Sequence, residues 1–267
     1  MILLKRGRGM ERLLITGAAG GMGRLVRPRL AGLARILRLS DVTELEAGPG
    51  EEFVACDLAD GAAVRELVAG CNGVVHLGGI SVEGPFDPIR EANITGVYNL
   101  YEAVRANPCR VLFASSNHVV GYYRQDQRLK GYEPTLPDSL YGVSKVFGEQ
   151  MALLYWQKFG IETARVRIGS CEDEPSDVRR LATWLSPDDF ARLVERVFAV
   201  PRLGCPVVWG VSQTSTGWWD NSDAGYLGWE PQDSVEPFRN RFEAPHDPDD
   251  PLVKWQGGAF IREPIYK

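Results

Sequence analysis

Histidine is scarce in this chain: 267 residues hold three, His76, His118 and His246. The five cysteines (Cys56, Cys71, Cys109, Cys171 and Cys205) include no C-x-x-C pair. Together these counts argue against a metal site of the structural zinc type. An odd, scattered set of thiols also fits a reducing cytoplasm better than a disulfide-stapled secreted scaffold. No apolar run approaches the roughly 20 residues that span a bilayer, so no membrane partner is expected. The first residues place Lys5, Arg6 and Arg8 behind a short apolar start without an h-region, which does not read as a signal peptide. Residues 1–9 read instead as a flexible leader with solvated charges. Positive charge is missing too: 30 Lys and Arg against 35 Asp and Glu give a net −5, the opposite of a nucleic-acid binder.

What is present is ordinary in bulk and unusual in glycine. Hydrophobic residues at 44% and charged residues at 24% describe a globular protein. The length allows one large domain or two small ones. Twenty-nine glycines make about 11% of the chain, above the usual ~7%, and suggest backbone that something approaches closely. Short apolar strands are expected at residues 12–16, 36–41, 53–57, 73–77, 110–115 and 163–168. Helical spacing falls between them at 24–33, 62–69, 89–106 and 142–159. Strands alternating with helices predict right-handed βαβ units, and so an α/β Rossmann fold with a doubly wound parallel sheet. Beyond Gly169 the prolines and tryptophans crowd together, with one helix expected at 187–200 behind Ser186 as N-cap. The reading is a single domain over 10–267, with an NAD-binding core over 10–169 and mainly a small, loop-rich substrate lobe over 170–267.

The first strand runs into Gly17-Ala-Ala-Gly20-Gly-Met-Gly23, which opens a helix. Pyrophosphate must approach backbone N–H groups there without a Cβ in the way, which makes Gly17, Ala19, Gly20, Gly21, Met22 and Gly23 candidate cofactor contacts. Alone, this spacing also suits a tight strand-to-helix turn. Asp41 ends the second strand 18 residues after the last glycine, where a carboxylate holds the ribose hydroxyls and repels a 2′-phosphate, favouring NAD over NADP. Arg24 and Arg38 speak for NADP. Asp57 ends the third strand and reads equally as an N-cap or, with Leu58, as an adenine contact.

Tyr141-Gly-Val-Ser-Lys145 sets a phenol and an ammonium four residues apart on one helix face. A cation beside the phenol favours its ionised form, which makes Tyr141 a candidate general base and Lys145 its partner. Ser116, in a different loop 25 residues earlier, can hold the substrate oxygen against Tyr141. Glycine loop, acid, serine, tyrosine and lysine together resemble the short-chain dehydrogenase/reductase superfamily, in its extended branch with T-G-x-x-G-x-x-G at Thr16–Gly23.

Longer stretches narrow the resemblance. His76-Leu-Gly-Gly-Ile-Ser-Val-Glu83, Ser115–Tyr123, Val166–Cys171, Gly217-Trp-Trp-Asp-Asn221 and Gln256-Gly-Gly-Ala-Phe260 resemble the bacterial uronate dehydrogenases, from Met10 to Lys267. The resemblance implies NAD-dependent oxidation of the C1 hydroxyl of cyclic glucuronate or galacturonate to an aldarolactone. It implies Ser81, Ser116, Asn117, His118 and Ser170 as hydrogen-bonding groups for this sugar acid, Arg179 for its C6 carboxylate, and Phe260 against the sugar. It implies Leu77, Gly78 and Gly79 beside the cofactor, and Asn93 as support for Lys145. A guanidinium fork matches a carboxylate, and adjacent Arg180 is the competing candidate. The tryptophans are expected in the core, and a homo-oligomer is expected by analogy. A nucleotide-sugar epimerase or dehydratase, or a non-catalytic dinucleotide sensor, remains the rival reading; only 97 residues follow Ser170, few for a nucleoside-diphosphate lobe.

Overall fold

The structure is a computed structural model, and it describes residues 10–266. The expected leader over residues 1–9 lies outside the described residues. Seven parallel strands form one sheet: β1 (Met10–Thr16), β2 (Ala34–Asp41), β3 (Glu51–Ala55), β4 (Gly73–His76), β5 (Arg110–Ser116), β6 (Thr163–Ile168) and a last strand at Val207–Gly210. They stand in the order β3-β2-β1-β4-β5-β6 with Val207–Gly210 at the edge beside β6. This is the doubly wound Rossmann arrangement.

Period-two alternation builds its two faces. Leu13, Ile15, Leu37, Leu39, Val75 and Leu112 point to one side, and Leu14, Val74, Val111 and Phe113 to the other. The second side is covered by α2 (Gly61–Val68), by α4 (Gly96–Ala106) and by α5 (Leu140–Phe159). The first is covered by α1 (Gly21–Val26) and α7 (Pro187–Ala199), whose Phe190, Leu193, Val194 and Val197 are fully buried. Ser186 caps α7 as expected, its Oγ accepting from Asp189 N at 2.9 Å.

The short elements between these are α3 (Phe86–Ile89), α6 (Arg180–Thr183), α8 (Pro251–Lys254) and a two-stranded ladder of β7 (Ser170–Cys171) with β8 (Trp184–Leu185). The edge strand Val207–Gly210 is then β9. β9 and α7 both join the sheet layer from the stretch beyond residue 169. A four-residue strand directly after Pro206 leaves almost no alternation to read. The helix expected at 24–33 ends at Val26 and tightens into a 3₁₀ turn at Arg27–Leu30, because Pro28 has no N–H to continue the ladder. The helix expected at 89–106 is broken by a π-turn at Arg90–Thr95, a distortion that helices adopt near functional sites. Among the described residues, no helix is long and apolar enough to cross a membrane.

Candidate active site

The chain leaves β1 toward β2 on one side, and β4 enters on the other. At that switch of direction the strand ends open into a crevice of about 620 Å³. Its cofactor side is made largely of backbone. Gly17 has φ +70°, and a Cβ there would lie 2.7 Å from the Gly78 nitrogen. A Cβ on Gly23 would sit 2.3 Å from Gly17 O, so the loop closes only with glycine at both positions. Gly20 caps α1 with no side-chain hydrogen bond, leaving the first-turn N–H groups open to the crevice. Ala19, Gly20, Gly21, Met22, Leu58, Leu77, Gly78 and Gly79 line the same side.

Asp41 lines it too, and its carboxylate is held in place by Ala19 N and Thr43 N, both at 3.0 Å. Arg38 is committed elsewhere, to Glu52 Oε1 (2.6 Å) and Leu67 O (2.8 Å). Arg24 donates to Ala19 O at 2.7 Å. Asp57 faces the crevice and accepts from Ala59 N; the cap of α2 is Asp60, which accepts from Ala62 N and Ala63 N. A glycine cradle, open helix N–H groups and one anchored carboxylate suit a dinucleotide diphosphate with a free ribose diol.

At the far end of the crevice α5 begins. Ser139 caps it through Gly142 N (2.9 Å), and Tyr141 N donates to Glu83 Oε2 at 3.0 Å. One turn on, Lys145 Nζ donates to Ala114 O (2.9 Å) and stands 5.7 Å from the Tyr141 ring centroid. Burial lowers the Lys145 ammonium to about 8 and raises the Tyr141 phenol to about 12, with the Ser116 hydroxyl pulling the phenol back down. Desolvation of the buried phenol is the largest of these influences. Ser116 Oγ accepts from His118 N at 3.1 Å, which leaves its proton free for Tyr141 or a bound oxygen.

The remaining candidates cluster beside this end. His118 lines the crevice, its ring 4.1 Å from that of Phe260, while Ser81 lines the opposite wall. Asn117 is buried, with its amide oxygen accepting from Arg179 Nη2 (2.6 Å) and its nitrogen donating to Ile168 O (3.2 Å). Arg179 is buried and also donates through Nε to Gln256 O at 2.7 Å. Among the described residues no carboxylate lies within 4 Å of it, whereas Arg180 is tied to Glu172 and Asp177.

Two candidates sit elsewhere. Ser170 turns its hydroxyl to Thr183 Oγ1 (3.3 Å) while its neighbours Gly169 and Cys171 form the wall. Asn93 does not touch Lys145; it bonds Ile80 N, Ile80 O and Ser144 Oγ, tying the loop after β4 to α5. Residues missed by sequence reasoning include Glu83 at the start of α5 and Asp138 against His118. Buried Glu149, which holds Ser115 Oγ (2.6 Å) and Arg167 (2.8 Å twice) beneath the catalytic strand, was missed too. Glu83 closes a stretch already conspicuous in the sequence; the others carry no local signal. The tryptophans Trp184, Trp209, Trp218 and Trp219 are buried as expected, Trp209 stacked on Trp219 at 4.8 Å.

Comparison with known proteins agrees with this geometry. Residues 13–186 match the NAD dependent epimerase/dehydratase family. The chain is 59% identical to a uronate dehydrogenase of Agrobacterium fabrum, covering 97% of this chain and 99% of the relative. It is 50% identical to a uronate dehydrogenase of Pseudomonas putida, over 94% and 95%. The crystal structure of a mutant uronate dehydrogenase from Agrobacterium tumefaciens complexed with NAD superposes with a TM-score of 0.94, at 58% identity, over 97% of this chain and 99% of that one. This chain, with its glycine loop and its Ser116, Tyr141 and Lys145 at one crevice, is an NAD-dependent oxidoreductase that belongs to the NAD dependent epimerase/dehydratase family, alongside the uronate dehydrogenases.

Proposed function

We propose that the enzyme oxidises the C1 hydroxyl of a cyclic hexuronate, glucuronate or galacturonate, to the aldarolactone. The observation that carries this is Arg179: a buried guanidinium with no carboxylate partner among the described residues, held by Asn117 and Gln256 beside the catalytic turn. Burying a cation without a counter-ion is costly, and burial does push Arg179 down to about 10. A substrate carboxylate offsets that cost and distinguishes a uronate from a neutral hexose. Arg180, already neutralised by two acids, cannot serve equally.

Gly17–Gly23 would hold the pyrophosphate and Asp41 the ribose, with Leu58 and Asp57 toward the adenine and Leu77–Gly79 along the chain. Bound NAD supplies the hydride acceptor and a positive ring close to Tyr141. Ser116 donates its one proton to the C1 oxygen, orienting the hydroxyl toward Tyr141. Tyr141, as phenolate, takes the C1–OH proton as the C1–H bond breaks, and Lys145, fixed by Ala114 O, stabilises that ionised form. C1 is already a ring hemiacetal carbon, so its oxidation yields a lactone directly.

NADH formation with galacturonate, glucuronate, galactose and UDP-glucuronate tests the reading. Free uronates should turn over, and galactose and UDP-glucuronate should not; activity on UDP-glucuronate alone would overturn it. The same reading places the enzyme in the cytoplasm, supported by five free thiols, and in a homo-oligomer, supported by exposed Tyr98, Leu154 and Phe159 on α4 and α5.

A further inference from the structure

Phe260 has an expected role, but the three residues that lead to it, Gln256, Gly257 and Gly258, have none. They run against the turn that follows β5: Gln256 N donates to Tyr123 O (2.8 Å) and Gly257 N to Gly121 O (2.9 Å). Gln256 is fully buried and its amide is saturated. Its Oε1 accepts from Trp219 Nε1 (2.9 Å), and its Nε2 donates to Arg124 O (3.0 Å) and Gln127 O (2.8 Å). Its carbonyl is the oxygen that accepts from Arg179 Nε. Gly258 has φ +63°, and a Cβ there would lie 2.4 Å from Arg179 Cδ.

Gly257 serves a different side chain. A Cβ on it would lie 2.1 Å from Asp138 Oδ2, and one on Gly121 would lie 1.7 Å from the same atom. The buried carboxylate therefore occupies a slot between two glycines, where it accepts from Ser139 Oγ (2.9 Å) and meets His118 Nδ1 (2.8 Å). In the tautomer with its proton on Nδ1, His118 donates to Asp138 and keeps Nε2 as the nitrogen left for a ligand.

We propose that Gln256–Gly258 is a positioning strap for the sugar. Gly257 seats Asp138 and through it His118, while Gln256 and Gly258 seat Arg179, so one segment sets two recognition groups that lie 61 residues apart in the chain. The cofactor half shares no residue with this strap. The inference rests on the reading that a sugar acid occupies this end of the crevice.

The test uses the full chain with three variants: Gly257→Ala, Gly258→Ala and Gln256→Glu. The last keeps the volume but sets an acceptor against the Arg124 and Gln127 carbonyls. Asp138→Asn is a fourth, expected to reproduce Gly257→Ala. Each is assayed on whichever sugar the parent oxidises best, with the NAD dissociation constant measured separately by tryptophan fluorescence and the fold checked by circular dichroism. The expected result is a sugar KM raised about 10-fold or more, with kcat and NAD affinity within about 2-fold, because the lost interaction is uniform binding. If Gly257→Ala does not fold, Gln256→Glu and Gly258→Ala carry the comparison. Unchanged sugar KM in the folded variants, or an equal loss of NAD affinity, overturns the strap. A parent that prefers a neutral hexose overturns the uronate reading instead and leaves the variant-to-parent ratios to judge the strap.

Discussion

The cofactor half of the crevice is assembled from backbone and short side chains between Thr16 and Gly79, at the ends of adjacent strands whose register is set by the sheet. The sugar half draws its groups from Ser116–His118, Asp138–Lys145, Arg179 and Gln256–Phe260, carried on turns and short helices and held by one another. One half presents an anchored carboxylate, Asp41, and the other a guanidinium, Arg179, with no carboxylate partner among the described residues. On the proposed reading, recognition of the dinucleotide would follow from the geometry of the fold, and recognition of the sugar from individual side chains and their supports. A substitution should damage one half and spare the other, except at Tyr141, Lys145 and Ser116, where the halves meet.

The largest effect is expected at that meeting point. Tyr141→Phe removes the base, and single-turnover kinetics should show kcat lowered by about 10³-fold, within the range for general acid–base catalysis, with NAD binding intact. Arg179→Ala should lower kcat/KM for the uronate by about 100-fold and leave NAD affinity unchanged, whereas Arg180→Ala should stay within about 3-fold in the same assay.

A pH profile sharpens the comparison further. Tyr141 acts when deprotonated, and burial raises its pKa, so the rate should climb with pH through the alkaline range. Ser116 lowers that pKa, so Ser116→Ala should shift the climbing limb to higher pH as well as reduce the rate. A smaller effect than at Arg179 is expected at Asp41: Asp41→Ala should weaken NAD by about 10-fold, with the sugar KM unmoved and discrimination against NADP reduced, as titration with both dinucleotides would show.

Much of this was legible before folding, for local reasons. Strands β1 to β6 are short apolar runs whose composition alone marks them, and Gly17–Gly23, Asp41 and Tyr141–Lys145 lie at spacings tied to single elements. Strand β9 was missed because four residues, Val207–Gly210, cannot show a period. The π-turn at Arg90–Thr95 was missed because its residues keep helical spacing on both sides. Asn93 is expected by resemblance to support Lys145, and in the π-turn its amide bonds Ile80 and Ser144, the residue before that lysine. Ser170 lies in a two-residue strand between Gly169 and Cys171, which line the crevice, and its hydroxyl meets Thr183 Oγ1 at 3.3 Å.

By itself, then, the sequence determined the parallel α/β fold, the dinucleotide cradle and the Ser-Tyr-Lys set, because each rests on periodicity or on residues close along one helix or loop. Only the tertiary structure separated Arg179 from Arg180, since charge pairing belongs to neighbours in space: Glu172 and Asp177 neutralise one, and Asn117 and Gln256 hold the other. It also decided that burial pushes the Tyr141 phenol up to about 12. Desolvation depends on what is packed around a group, and no spacing along the chain reports that.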